Sequence, residues 1–91
     1  MVRVSLSPEG FASLRRLPES QRTRFDRLLL ESQRSVTLRL PGEYDTHPLE
    51  GGRGLWTLKV GLYRGIFHWD GAEARFIQFG HRATVYQRLP K

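Results

Sequence analysis

Hydrophobic and polar residues alternate at the beginning of the chain and then change to helical spacing. From Val2 to Leu6 every second residue is apolar, which predicts a β-strand with one buried face. Ser7 and Pro8 indicate a helix start, because a serine side chain can cap the first turn and proline fits the first helical position. The apolar residues of this helix are expected to share one stripe that ends at Pro18, and they are Phe11, Leu14 and Leu17.

A second amphipathic helix is predicted from about Pro18 to Arg34. Its apolar stripe consists of Phe25, Leu28 and Leu29. Leu30 lies off this stripe, so it is either half-exposed or part of a partner surface. Prolines and glycines between residues 35 and 54 then predict mostly loop, with room for a short strand over Val36 to Leu40.

Residues 55 to 79 predict three strands joined by two tight turns. The strands are expected over Leu55–Val60, Tyr63–Trp69 and Ala74–Phe79, with the turns at Gly61-Leu62 and Asp70-Gly71. In the first of these strands, Thr57 and Lys59 lie on the face opposite the apolar residues Trp56, Leu58 and Val60. The order β-α-α-β-β-β predicts an α+β fold with one domain over residues 1–91 and a short tail from His81 to Lys91.

The balance of charge points to an anionic partner. Fifteen Lys and Arg against nine Asp and Glu give a net charge of +6, and thirteen of the fifteen are arginine. The excess is concentrated in the second half, since Arg53 to Lys91 contains seven basic and two acidic residues. This distribution favours a nucleic acid or an acidic protein as partner, and a merely well-solvated surface remains the alternative.

The sequence gives little support for a metal or cofactor site. His47, His68 and His81 show no ligand spacing, there is no cysteine, and the glycines at 51, 52 and 54 do not form a phosphate-binding motif. No apolar run approaches the roughly 20 residues of a membrane span, and the first residues lack the features of a secretory signal. We therefore expect a cytoplasmic protein with no metal, no cofactor and no membrane partner.

Two segments together resemble the signature of the RelE/ParE toxin superfamily. The first runs from Pro48 to Gly51 and continues from Leu55 to Arg64, ending in Val-Gly-Leu-Tyr-Arg. The second is Phe79 to Tyr86, with the sequence Phe-Gly-His-Arg-Ala-Thr-Val-Tyr. The resemblance spans nearly the whole chain. It implies an N-terminal strand and a two-helix hairpin packed on a curved antiparallel sheet, with a basic concave surface.

The resemblance also implies a function. Members of the RelE-like branch cleave mRNA in the ribosomal A site by attack of a 2′-hydroxyl on the adjacent phosphate, without a metal, whereas another branch acts on DNA gyrase. It implies a cognate antitoxin, the ribosome and mRNA as partners. We therefore expect a type II toxin that is a ribosome-dependent endoribonuclease, with a gyrase inhibitor or an inactive nucleic-acid-binding relative as alternatives.

Four residues are candidates for the chemistry of cleavage: Arg64, His81, Arg82 and Tyr86. Arg64 suits the stabilisation of a phosphate, because its planar fork can hold two oxygens and does not lose its charge; a structural ion pair is its alternative role. Histidine is the usual proton-transfer group near neutral pH, although His81 could merely cap its strand. Arg82 suits a phosphate ligand, and Tyr86 could stack on a nucleotide, transfer a proton or hold the tail to the core.

Three further residues are candidates for RNA binding: Lys59, Arg53 and His47. Lys59 matches a basic position of the family motif, while Arg53 and His47 lie in the segment predicted as loop, where function is common. A solvated lysine and an exposed loop histidine are the alternatives, and His68 is expected to pack or pair within its strand. Many relatives carry a second basic residue two positions before Lys59, where this chain has Thr57, and that departure removes one charge from the expected site.

Overall fold

A five-stranded sheet is the framework of the part of the chain that the structure describes. The computed structural model describes residues 3–32, 45–49 and 54–89. Their elements, in chain order, are β1 (Arg3–Leu6), α1 (Pro8–Arg15), α2 (Glu19–Ser32), β2 (Asp45–Pro48), β3 (Leu55–Val60), β4 (Tyr63–Trp69), β5 (Glu73–His81) and a 3₁₀ helix, η1 (Val85–Arg88). The strand order is β1-β5-β4-β3-β2, so β5 lies inside the sheet between β1 and β4.

The predicted α+β fold, with a helical hairpin packed on a sheet, is confirmed, but the sheet is not antiparallel throughout. β1 runs parallel to β5, with Arg3 opposite Glu73 and Leu6 opposite Phe76, whereas the other three pairings are antiparallel. The sheet is therefore mixed. Alternation along β1 predicts a strand with a buried face, but its direction depends on where the helices return the chain, which alternation does not encode.

A strand also forms where the sequence indicated loop. β2 pairs with β3, and His47 lies opposite Thr57. Of the four residue types in β2, only threonine is enriched in strands, and an edge position tolerates Pro48 because no inward hydrogen bond from its nitrogen is needed. Pairing with β3 thus makes this segment a strand. The strand expected over residues 36–40 lies outside the described residues.

The predicted helix start at Ser7 and Pro8 is confirmed. The Ser7 side chain accepts a hydrogen bond from the Gly10 N–H at 2.9 Å, and Pro8 occupies the first helical position. α1 lies so close to β5 that a Cβ at Gly10 would collide with the Phe76 carbonyl. Phe11 is 51% exposed, with the Arg15 guanidinium over its ring, because successive steps of three residues drift by about 60° around a helix.

The core lies between the helices and one face of the sheet. The Phe25 ring of α2 is fully buried and meets the Phe79 ring edge-on at a centroid distance of 5.0 Å. Phe76 lies 4.9 Å from Phe67 and 5.3 Å from Phe79, also between centroids, so the aromatic rings form a continuous group across β4 and β5. Leu28 and Leu29 are buried as predicted, while Leu30 is 63% exposed.

The two faces of the sheet differ in what they carry. Side chains packed under α1 and α2 define the helix face, and those from the strands are Leu58, Val60, Phe67, Ala74, Phe76 and Phe79. Alternate residues point the other way, and we call that side the η1 face, which contains Thr57, Lys59, Arg64, Ile66, Gln78 and Gly80. η1 covers part of this second face, because a Cβ on Gly80 would lie 3.3 Å from the Val85 side chain.

An irregularity in β5 decides which face the last residues of that strand occupy. The pairing of β4 with β5 shifts by one residue between Ile66, which is opposite Gln78, and Phe67, which is opposite Phe76. Ile77 is therefore an extra residue, which makes a β-bulge. Beyond it the alternation is reversed, so that Phe79 and not Gly80 faces the helices.

Candidate functional site

Lys59 and Arg64 lie side by side on the η1 face. They are direct partners across β3 and β4, and Arg64 is in turn opposite Gly80 of β5. Both side chains are half-buried. On the β5 side Gly80 leaves room for Val85 of η1, whose side chain would lie 3.3 Å from a Cβ at that glycine. Lys59 and Arg64 are two neighbouring cations on the part of this face next to η1, and a phosphate can bridge them.

The Arg64 guanidinium is held by the turn that precedes it. Its Nη1 donates hydrogen bonds to the carbonyl oxygens of Gly61, at 2.8 Å, and Tyr63, at 3.0 Å. Gly61 has a φ of 60°, which a glycine adopts without strain, so the predicted turn is confirmed and gives these carbonyls their direction. Both bonds use Nη1. The guanidinium is thus positioned in advance, with its other nitrogens available to an anion.

Tyr86 reaches the same face from η1. Its hydroxyl lies 3.5 Å from the Thr57 hydroxyl, at the outer limit of a hydrogen bond, and 41% of the residue is exposed. Val85 is buried and fixes the 3₁₀ helix against Gly80. The position where the resemblance implied a second basic residue is therefore occupied by a buried threonine next to Tyr86. The sequence showed the exchange at Thr57 but gave no sign of this contact, which joins residues 29 apart in the chain.

His81 lies on the other side of the sheet from Arg64. It is opposite Tyr63, and the two rings meet edge-on at a centroid distance of 5.4 Å. Tyr63 packs against the core on the helix face. The bulge at Ile77 causes this placement, because it reverses the alternation just before His81. The predicted grouping of His81 with Arg64 and Tyr86 on one surface does not occur in this structure, and the catalytic role of His81 stays a prediction.

The hydrogen bonding of His81 shows which of its two ring nitrogens carries the proton in the neutral side chain. The backbone N–H of Ala83 donates to Nδ1 at 3.1 Å. A nitrogen that accepts a hydrogen bond carries no proton, so the neutral imidazole has its proton on Nε2. In this state Nε2 is a hydrogen-bond donor. To act as a base, His81 has to use Nδ1 and give up the bond from Ala83.

The remaining candidates are placed less centrally. Arg82 follows β5 in an exposed turn, and its backbone N–H donates to the Leu62 carbonyl at 2.8 Å. His47 is exposed on the edge strand β2, opposite Thr57 of β3, and β3 is the strand that also carries Lys59. His68 is exposed on β4, beside Gly54 and opposite Arg75, and the expectation that it packs or pairs within its strand stays a prediction. Arg53 lies outside the described residues.

The structure adds three observations on charge and surroundings. The pKa of the Asp70 carboxyl is lowered because the backbone N–H groups of Glu73 and Ala72 both donate to it at 2.8 Å. Among residues 3–32, 45–49 and 54–89, no three His, Cys, Asp or Glu side chains come together as metal ligands. In the same ranges, no helix has the length and apolar character needed to span a bilayer.

A mixed five-stranded sheet with two helices on one face is the RelE-like toxin fold, as comparison with solved structures shows. A chain of the RelB–RelE antitoxin–toxin complex from Methanococcus jannaschii superposes with a TM-score of 0.79 and 23% identity, over 94% of this chain and 99% of that chain. A chain of the RelE–RelB complex from Pyrococcus horikoshii gives 0.66 and 22%, over 89% and 94%. YafQ from Escherichia coli gives 0.64 and 21%, over 92% and 97%.

The resemblance inferred from the sequence motifs is thus confirmed for the fold. No protein-family model matches the sequence, and no curated protein is similar enough to match by sequence alone. The likeness resides in the arrangement of helices and strands, at identities between 21% and 23% for these three structures.

Proposed function

We propose that this protein is the toxin of a type II toxin–antitoxin pair and that it cleaves mRNA on the ribosome without a metal. The observation that carries the proposal is the pairing of Lys59 and Arg64 beside Gly80 and Tyr86, on the sheet face away from the helices. The fold supports it, because structures with this fold include antitoxin–toxin complexes of RelE. The partners are a cognate antitoxin, the ribosome and its mRNA.

The proposed reaction needs charge stabilisation and two proton transfers. The 2′-oxygen loses its proton and attacks the adjacent phosphorus, the bond from phosphorus to the 5′-oxygen breaks, and that oxygen takes up a proton. The products are a 2′,3′-cyclic phosphate and a free 5′-hydroxyl. Arg64 and Lys59 stabilise the charge that builds on the phosphate oxygens. Tyr86 offers a ring for base stacking and a hydroxyl for proton transfer, and Arg82 holds a neighbouring phosphate.

His81 is the member of the predicted set that the geometry supports least. In the proposed role it donates from Nε2 to the leaving oxygen, which requires the tail after β5 to turn the ring from Tyr63 towards the η1 face. His47 and Arg53 are proposed to contact the RNA outside the reacting group. These assignments separate proton transfer from phosphate binding, so kinetics can distinguish them.

Cleavage of a defined mRNA on programmed ribosomes tests the proposal. Arg64→Ala should slow single-turnover cleavage by about 10²–10³, the usual loss for one preorganised contact to a developing charge. Arg75→Ala is the matched control, because Arg75 shares the face of Arg64 but pairs with His68, four residues further along β4. Equal rates for Arg64→Ala and the wild-type protein would show that the active site lies elsewhere.

A gyrase-directed inhibitor on the same fold is the second candidate. Two observations favour it: Thr57 replaces a basic residue of the motif, and His81 lies on the helix side of the sheet. Induced expression of either candidate should arrest growth, and co-expression of the antitoxin should relieve the arrest, so the order in which syntheses fail has to separate the two. Pulse labelling should show protein synthesis failing first, with mRNA cut. Replication failing first while mRNA stays intact would favour the gyrase inhibitor.

A further inference from the structure

A cavity of about 250 Å³ lies at the edge of the sheet where β5 extends past β1. The pairing of β1 with β5 ends at Leu6 and Phe76. Beyond that point α1 covers the strand, because the Ser13 hydroxyl accepts from the Phe79 N–H at 2.8 Å and donates to the Gly10 carbonyl at 2.9 Å. The cavity opens between the end of α1, the end of β5 and η1.

The polar groups that surround this cavity are hydrogen-bond donors. Arg16 lines it from the end of α1, Arg88 and Thr84 line it from η1, and His81 lines it from β5. Nε2 of neutral His81 carries a proton, because Nδ1 accepts from Ala83. Thr84 precedes η1 without making a capping bond from its side chain, so its hydroxyl is available.

The charge of the lining is positive. Within the described residues no carboxylate lines this cavity, and Arg16 and Arg88 are both exposed. The two arginines also border the adjoining depression of about 350 Å³, which Glu9 lines with them. Guanidinium groups keep their charge in proteins, so two of them beside one small cavity repel each other. An anion bound between them offsets this repulsion, whereas a neutral group does not.

The size of the cavity limits the anion. Sites for drug-sized ligands usually occupy about 300–1,000 Å³, and a cavity of about 250 Å³ lies below that range while leaving room for a phosphate. A tetrahedral phosphate has enough oxygens to accept from two guanidinium forks and a hydroxyl at once. Its position suggests the source: Gly80, which borders the cavity, is the direct partner of Arg64 on β4. Neighbouring strands are about 4.8 Å apart, so the backbone of Arg64 lies one strand away from this edge of β5.

We propose that this cavity is a second phosphate site, in which Arg16, Arg88 and Thr84 bind a backbone phosphate of the RNA strand next to the one held at Arg64. The presence of the site follows from the cavity itself. Only the identity of the ligand as RNA rests on the proposed function.

Titration of the intact protein with inorganic phosphate, followed by amide chemical shifts, tests the site without any cleavage. The signals of Arg16, His81 and Thr84 should move together. Arg16→Gln and Arg88→Gln should each weaken phosphate binding about tenfold, as expected for loss of one charged hydrogen-bonding group. Arg15→Gln is the matched control: it removes the same charge from the neighbouring position of α1, where the side chain stacks on Phe11 and does not line the cavity.

A competition experiment identifies the source of the phosphate. A short oligoribonucleotide that is fully 2′-O-methylated, and so cannot undergo the proposed reaction, should displace inorganic phosphate from the cavity. If Arg15→Gln weakens binding as much as Arg16→Gln, general surface charge explains the data and the site is refuted. If phosphate moves the cavity signals but an acidic peptide displaces it and the oligoribonucleotide does not, the assignment to RNA is overturned.

The two proposals can fail separately. A protein that binds phosphate in the cavity but never cleaves mRNA on ribosomes would refute the nuclease and leave the phosphate site. A protein that cleaves mRNA on ribosomes, but whose cavity signals do not shift when phosphate is added, would refute the phosphate site and leave the nuclease. The thermal midpoints of the glutamine variants should equal that of the wild-type protein, because Arg16 and Arg88 are exposed.

Discussion

The two faces of the sheet share the same strands and yet follow different physical rules. On the helix face, Phe25, Phe76 and Phe79 are buried and meet ring to ring. On the η1 face, Ile66 of β4 and Val85 of η1 are buried, while Lys59 and Arg64 are half-buried. Aromatic burial gives the first face its contribution to stability, whereas the second keeps charges half-exposed where a ligand can reach them. Stability and function are therefore separable by substitution.

The largest effect is expected from removing a buried aromatic ring of the core, next to the helix face. Phe25→Ala should reduce the free energy of unfolding by about 3–5 kcal/mol, because it removes a fully buried ring and leaves a cavity among its neighbours. That is a large part of the total stability of a small domain. Leu30→Ala, on the same helix but 63% exposed, should change it by less than about 0.5 kcal/mol. Denaturant unfolding measures both, and equal losses would contradict the assignment of Phe25 to the core.

The next effect sharpens the contrast by changing a hydroxyl on each face. Tyr86→Phe should slow single-turnover cleavage by about 10²-fold, as removal of a proton-transfer group does, and should leave stability nearly unchanged because its contact with Thr57 is long and half-exposed. Tyr63→Phe, on the helix face, should leave the rate unchanged. If the two variants cleave at the same rate, the hydroxyl of Tyr86 has no role in the chemistry.

A smaller effect concerns the boundary between the faces, where α1 covers the edge of β5. Ser13→Ala removes the acceptor of the buried Phe79 N–H and should cost about 1–3 kcal/mol. Ser20→Ala, at an exposed position early in α2, serves as the control. Hydrogen exchange should show faster exchange of the Phe79 amide in the Ser13 variant alone. Unchanged protection of that amide would show that the serine bond does not hold the edge.

The smallest effect is expected far from both faces, in the turn between β4 and β5. The pKa of Asp70 is lowered by hydrogen bonds from the backbone of Glu73 and then of Ala72. The carboxylate therefore stabilises the folded protein above the unfolded pKa of about 3.9, and this contribution disappears as the pH falls through the lower folded value. Thermal midpoints should show Asp70→Asn below the wild-type protein at pH 5, with the gap closing towards pH 2. A gap that widens at low pH would contradict the sign.

Local signals in the sequence predicted the elements well where short-range chemistry decides them. The cap at Ser7, the strands β3 and β4 and the glycine turns all follow from neighbouring residues, and Gly61 and Gly71 have the positive φ that such turns require, 60° and 95°. Tertiary pairing decides the rest. The parallel direction of β1 and the formation of β2 depend on which strand lies alongside, and neither depends on the local sequence.

The roles of the candidate residues stay predictions, and the structure bears only on how these residues are arranged. Lys59 and Arg64 become neighbours because the turn at Gly61 fixes their register. His81 was expected in the site because it follows Gly80 at the end of its strand, but one extra residue at Ile77 reverses the faces. The proximity of Arg16 and Arg88 has no sequence signature, since α1 and η1 meet only through β5.

The parallel pairing of β1 with β5 has a consequence for how the molecule is made. Arg3 finds its partner at Glu73, 70 positions later, whereas β3, β4 and β5 are joined by short turns. Contacts between distant segments form slowly, because a long loop has to close before they are gained. On a translating ribosome, β1 and α1 emerge long before the strand that completes their packing. The hairpins of β3, β4 and β5 are expected to assemble first, with β1 docking on β5 as a late step. Both the η1 face and the cavity at the β5 edge would then exist only after β5 has left the exit tunnel.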